Sequence, residues 1–197
     1  MTLADISEKW NRIYASNDRT NLPAANVLRE NTHLLPGEGR ALDVACGLGA
    51  NALLLAQHGL QTCAWDISKT AIEKLILRST ELNISLLAEL RNVILAPPTP
   101  ASFDVIVVSH FLDRALMPHL IAALRDGGLI FYQTFIMDKI SDSGPRNPDY
   151  LLRRNELLSL FRSLQIVLYR EEGRLGDLQQ GFRNEAILIA QKSEHHG

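Results

Sequence analysis

Apolar and polar positions along the chain alternate between short solid apolar runs and longer segments of helical period. Ala41, Leu42, Val44 and Ala45 form a run that stops at Gly47 and Gly49, and Leu53 to Ala56 then open a helix closed by Gly59. A second run over 60–65 ends on Asp66, so residues 40–68 predict strand, glycine turn, helix and strand, with an acid at the tip of the second strand. The spacing of Ala71, Ile72, Leu75 and Ile76 predicts a helix over 69–81, with Ser68 as its N-cap. A short strand over 84–90 follows, and 92–102, with three prolines, reads as a loop. The valine-rich run 103–109 has the near-continuous apolar character of a central parallel strand buried on both faces.

The later half continues the pattern. A helix over 112–124 stops sharply at Arg125-Asp126-Gly127-Gly128 before a fifth strand over 129–135. A polar loop over 137–149, a helix over 154–163 and two closing strands over 164–170 and 185–191 complete the repeat. Ahead of it, Ile6, Trp10, Ile13 and Tyr14 predict an amphipathic helix over 5–16, with Asp5 and Glu8 as a capping box. A second helix is expected over 23–35, started by Pro23, ended by Pro36-Gly37 and turning Asn26, Arg29 and Glu30 to solvent. The expectation is an α/β, doubly wound, mostly parallel sheet in one domain over 1–197, with a helical cap over 1–36 and the core over 40–192.

Composition adds exclusions. A chain of 197 residues can bury roughly 70% of its unfolded surface and needs no staple. Its formal net charge of −2 gives no electrostatic footprint for nucleic acid. With no apolar segment of membrane length and no basic leader, the expected location is cytoplasmic, away from membranes. Cys46 and Cys63 are not spaced as a redox or metal pair and read as buried thiols in a reducing compartment. No metal site is expected, the terminal EHHG included, and oligomeric state is not readable.

The chemistry concentrates at the glycine turn. Glycines there let the backbone approach a ligand closely, and the following helix presents unpaired N–H groups beside it. Asp66, at the neighbouring strand tip, can accept both hydroxyls of a ribose. The segment D-V-A-C-G-L-G with Asp66 downstream resembles the glycine-rich motif of class I S-adenosylmethionine-dependent methyltransferases. That resemblance implies a Rossmann-like sheet of seven strands with an antiparallel closing hairpin. It implies S-adenosylmethionine as cofactor, S-adenosylhomocysteine as product, Asp43 holding the amino-acid end and Asp66 the ribose. Ala45, Cys46, Gly47, Gly49, Asn51, Ile67, Ser68 and Ser109 complete the expected cofactor set. Glu89 with Leu90 takes the adenine position, where the family more often has Asp; a solvated glutamate is the other reading.

Runs such as F-L-D-R-A-L-M-P-H-L and L-R-D-G-G-L-I-F-Y-Q-T-F, over 111–120 and 124–135, resemble small bacterial methyltransferases close to the tellurite-resistance group. The expected acceptor is a small molecule, a metalloid oxyanion or a thiol being the leading examples. Trp10 and Tyr14 are either core packing or, as in that family, part of a lid. His110 ends the fourth strand at the ligand edge and is either a base or acceptor-positioning donor, or a filler of the strand–helix junction. Arg146 in the polar loop is a candidate for attracting an anionic acceptor. No acid/base pair stands out. A nicotinamide oxidoreductase, through the relaxed G-x-G-x-x-A of 47–52, and a non-catalytic cofactor-binding protein stay open as alternatives.

Overall fold

The structure is a computed structural model and describes residues 3–16 and 22–193. The terminal EHHG lies outside the described residues. Seven strands form one sheet in the order β3-β2-β1-β4-β5-β7-β6. They are β1 (Arg40–Val44), β2 (Gln61–Asp66), β3 (Leu87–Leu90), β4 (Phe103–Ser109), β5 (Leu124–Phe135), β6 (Gln165–Glu171) and β7 (Glu185–Gln191). The first five run parallel, and β7 pairs antiparallel with both β5 and β6.

Burial follows the pattern. Val105, Ile106, Val107 and Val108 of β4 are fully buried, because strands on both sides and helices on both faces cover them. One layer of the core packs Leu42, Ile106, Ile130 and Leu188 under the helix α5 (Met117–Ala123) and Phe161, which follows α6 (Glu156–Leu160). The opposite layer packs Ala41, Val105, Phe131 and Ile189 under Val27, Leu28 and Leu55, from α2 (Asn26–Arg29) and α3 (Ala50–Gln57). The last helix of the first repeat, α4 (Lys69–Glu81), is capped by Ser68, whose hydroxyl accepts from the Ala71 N–H at 3.2 Å, as its sequence position predicts.

Several elements depart from the expected pattern; the helix expected over 112–124 is a 3₁₀ turn at Arg114–Leu116 followed by α5, and that expected over 154–163 is α6 alone. The first helix, α1, spans Leu3–Ala15, so Asp5 lies inside its first turn and is not its cap. The helix expected over 23–35 is only α2 followed by a single 3₁₀ turn at Thr32–Leu34. Its start is drawn away by two long-range bonds, Ala25 N–H to Asn51 Oδ1 and Val27 N–H to Gln133 Oε1, both 2.8 Å, and Asn31 Nδ2 closes back on the Val27 carbonyl. In β5 the ladder to β4 runs from Leu124 to Leu129, and Arg125–Gly128 bulge out between them where a stop was expected.

The topology fixes where a ligand can lie. The chain moves outward from β1 through β2 to β3 and returns to β4 beside β1, so the crossovers part between β1 and β4. A crevice opens at the carboxyl ends of the strands on that line.

Candidate active site

A cleft of about 690 Å³ occupies this edge. Its first half is built by the glycine turn. Gly47 and Gly49 adopt φ of +54° and +78°, which L side chains rarely tolerate. A Cβ on Gly49 would also strike the buried Leu75 side chain at 2.3 Å. Opposite the turn, Asp66 accepts the Gly47 N–H on one oxygen and the Ser68 N–H on the other, both at 2.8 Å. Each oxygen keeps further lone-pair capacity for the cleft. Burial raises the Asp66 pKa, and the backbone bonds from Ser68 and Gly47 work against that rise.

Asp43 lies one layer deeper and does not line the cleft. Fully buried, it accepts from the Ala52 N–H at 3.0 Å and from Asn51 Nδ2 at 3.4 Å. Burial pushes its pKa up to about 7, opposed by those two bonds and reinforced by the Asp66 charge. Asn51 ties three elements together, accepting from Ala25 and donating to Ser109 Oγ at 2.9 Å across the crevice. Cys46 and Cys63 are both buried free thiols, and Cys46 lies in the turn, two residues beyond the end of β1.

The helix α1 lies over the turn from outside the core. Asn11 Oδ1 accepts from Ser68 Oγ at 2.7 Å and from the Thr70 N–H at 3.2 Å, Ser7 Oγ donates to the Ile67 carbonyl, and Lys74 Nζ donates to the Tyr14 carbonyl at 2.7 Å. Trp10 and Tyr14 stack at 5.7 Å and both line the cleft. Tyr14 Oη would lie 2.8 Å from a Cβ on Gly47, so the aromatic pair lies over the glycine turn, outside the sheet core. Burial raises the Tyr14 pKa, with Asp66 adding to it, so its hydroxyl stays a neutral donor.

The second half of the cleft holds His110, at the end of β4 with φ +54°. That left-handed turn costs a non-glycine residue of the order of 1 kcal/mol and is a feature of functional sites. The ring lies 4.9 Å from Phe135, and its Nε2 is 3.2 Å from Glu185 Oε1 at the start of β7. Gln133 completes the arrangement: its Oε1 accepts the Val27 N–H, which leaves its Nε2 to donate to Glu185 Oε2 at 2.5 Å. Burial raises the Glu185 pKa, but the bonds from His110 and Gln133 outweigh it and hold the carboxyl below its ordinary value. An ionised carboxylate therefore backs an imidazole that is about half exposed to the cleft.

Several expected residues sit elsewhere. Glu89 is 3.7 Å from Arg91 and Leu90 is exposed on the edge strand, and neither lines the cleft. The wall there is Arg91 to Ile94, with the Arg91 guanidinium 3.8 Å above the Trp65 ring. Ser68 acts as a cap and as the α1 anchor, outside the lining. Arg146 is 85% exposed, its guanidinium 3.8 Å from Asp142, also away from the cleft. Asn26, expected to face solvent, lines it. Glu185, Gln133 and Arg183 also line it and were not expected there. Glu185 had one available signal: an antiparallel closing strand must begin at the edge where the parallel strands end.

Among the described residues no helix is long and apolar enough to cross a membrane. No group of three or more His, Cys, Asp or Glu among them is placed to hold a metal ion.

A seven-stranded sheet of this order and sense, with a glycine turn after β1 and an acid ending β2, defines the fold of the class I S-adenosylmethionine-dependent methyltransferases. A methyltransferase-domain profile matches residues 14–170. The ubiquinone biosynthesis O-methyltransferase of Xanthomonas campestris pv. campestris (strain B100) is 31% identical over 175 residues, 78% of this chain and 72% of that one. Among solved structures, TehB from Haemophilus influenzae superposes with a TM-score of 0.71 at 19% identity, covering 93% of this chain and 67% of that one. The [4+2]-cyclase SpnF does so with 0.67 at 18% identity, covering 93% and 81%. The chain belongs to the methyltransferase-domain family, as a class I S-adenosylmethionine-dependent methyltransferase. The nicotinamide alternative is set aside by that membership.

Proposed function

We propose that this chain transfers the methyl group of S-adenosylmethionine to a small-molecule acceptor seated beside His110. The observation that carries the reading is the division of one continuous cleft. A glycine-only turn facing an acid occupies one half, and a histidine facing a buried carboxylate occupies the other. The residues present fit the cofactor. The volume lies within the range of sites for molecules of that size, and a Cβ would fill the cradle at Gly47 and Gly49. Asp66 would take the two ribose hydroxyls and the wall of Ile67, Val93 and Ile94 the adenine, while the N–H groups of the turn and of α3 would meet the amino-acid end. Asp43 would hold that end indirectly, by fixing the first turn of α3 through Ala52 and Asn51.

When bound, the cofactor supplies an electrophilic methyl carbon on a sulfonium, so the hard chemistry is its own. The protein's part is to orient the acceptor and to exclude water. The helix α1 does the second, closing the cleft with Trp10 and Tyr14. Titration calorimetry with S-adenosylmethionine and S-adenosylhomocysteine tests the reading. Both should bind saturably, and Asp66→Ala should weaken each by roughly 100-fold, the scale of a lost charge-assisted hydrogen bond plus two orphaned N–H groups. Folded protein that binds neither would sink it.

A further inference from the structure

A methyl donor explains only half of the cleft. In the other half the imidazole of His110 is oriented by neighbours with no freedom of their own. The Val27 N–H fixes the Gln133 amide, the amide holds one oxygen of Glu185, and the other oxygen faces His110 Nε2. An ionised carboxylate can only accept, so in the neutral ring Nε2 carries the hydrogen and Nδ1 the lone pair. This is the arrangement of a general base with its orienting acid.

The charge around it argues for the acceptor's class. Arg183 lines this half, yet its guanidinium donates to the carbonyls of Gln180, Gly173 and Asp177 within its own loop. Arg91 is held by the Ala96 and Pro97 carbonyls. An oxyanion placed beside His110 would therefore meet the Glu185 charge, while the two guanidiniums that line the cleft, Arg183 and Arg91, each face a carboxylate of their own, Glu172 at 3.8 Å and Glu89 at 3.7 Å. Phe111, next to His110, and Phe182, three residues before Glu185, instead give the space aromatic walls.

We infer that the acceptor is a neutral molecule with a hydroxyl group on an aromatic or similarly apolar frame, and that His110, oriented by Glu185, removes the hydroxyl proton during transfer. This rests on the cofactor reading above. The acceptor O–H bond breaks and its proton passes to His110 Nδ1. The oxygen forms a bond to the methyl carbon as the carbon–sulfur bond breaks, its electron pair staying on sulfur. The imidazolium, paired with Glu185 and open to solvent, then releases the proton to water. A hydroxyl needs this help because it is un-ionised near neutrality, whereas a thiol is partly ionised without it. The other titratable or charged side chains lining the cleft are Tyr14 on α1, the buried thiol Cys46 in the glycine turn, Asp66 on β2, Arg91 after β3 and Arg183 before β7.

The test uses the full chain, His110→Asn and Glu185→Gln. Each is first titrated with S-adenosylhomocysteine, which all three should bind within about twofold; failure of the unaltered protein to bind refutes the cofactor reading, not the base. 4-Nitrophenol is then added to each complex at a pH where the free phenol is mostly un-ionised. The unaltered protein should raise the nitrophenolate absorbance, Glu185→Gln less so and His110→Asn not at all. With S-adenosylmethionine, catechol and phenol should be methylated and tellurite should not. His110→Asn should lower kcat by roughly 100-fold at neutral pH, a typical general-base contribution, with the loss shrinking as pH nears the phenol's own pKa. The inference is overturned by tellurite turnover without phenol turnover, by no phenol turnover in protein that binds S-adenosylhomocysteine, or by a His110→Asn loss that stays constant with pH.

Discussion

The two halves of the cleft are built on opposite principles. Around the glycine turn, polar groups are buried and paired with backbone: Asp43 and Asp66 together accept three main-chain N–H groups, from Ala52, Gly47 and Ser68. Around His110, the polar groups pair with side chains from distant strands, and the imidazole is open to the cleft. Backbone partners make a site that the local chain determines and that hardly adjusts. Side-chain partners make one that can be retuned by single substitutions. Substitutions should therefore sort by half, with cofactor affinity and fold on one side and turnover on the other.

The largest effect belongs to the rigid half. Gly49→Ala places a Cβ at a left-handed φ and into Leu75, and should cost about 2–4 kcal/mol of stability together with most cofactor affinity. Thermal melts and calorimetry would check this; a melting temperature within a degree of the unaltered protein would show that the turn is not the fixed element described. Next comes the crossed pair. Asp66→Ala should weaken cofactor binding while sparing the hydroxyl-proton step, and Glu185→Gln should lower kcat roughly tenfold to 100-fold while sparing cofactor affinity. Both variants losing both properties in equal measure would erase the distinction between the halves.

A finer test uses pH. Asp43 titrates near 7 in the folded protein against about 3.9 in an unfolded chain, so between those values the folded state holds the extra proton. Its contribution to stability is full below about pH 4 and is lost as pH rises through 7. Asp43→Asn cannot ionise, so its stability relative to the unaltered protein should rise between pH 4 and pH 8, by a few kcal/mol at most, since each pH unit is worth about 1.4 kcal/mol. Melting curves of the two proteins across that window measure it, and a constant offset would refute the shifted carboxyl. The smallest effect is expected at Arg146→Ala. That residue lies away from both halves in an exposed ion pair, and neither kcat nor KM should change, with stability altered by less than about 0.5 kcal/mol.

Most of the rigid half was legible in the chain. The glycine positions, Asp66, the Ser68 cap and the buried valines of β4 are local signals, each read from the residue pattern of its own element. Where reading failed, the partner was distant. The expected 23–35 helix starts late because Gln133 captures the Val27 N–H, and ends early because Asn31 turns its N–H to the Leu28 carbonyl and its side-chain amide to that of Val27. Glu89 met the local rule for an adenine contact, but its side chain turned to Arg91 at the sheet edge. Glu185 carried no local sign of function, being simply the first residue of an apolar strand.

By itself the sequence determined the order of elements, the glycine turn, the acid at the tip of β2 and the family resemblance, since each depends on periodicity and on backbone preferences that act over one or two turns of chain. Only the tertiary structure decided that α1 would cover the glycine turn, that Asp43 would sit beneath the cleft instead of facing it, and that His110 would meet Glu185. The physical reason is separation. A pairing across 75 residues is set by which strands become neighbours and in which direction they run, and the antiparallel entry of β7 brings its first residue to the edge where β4 ends.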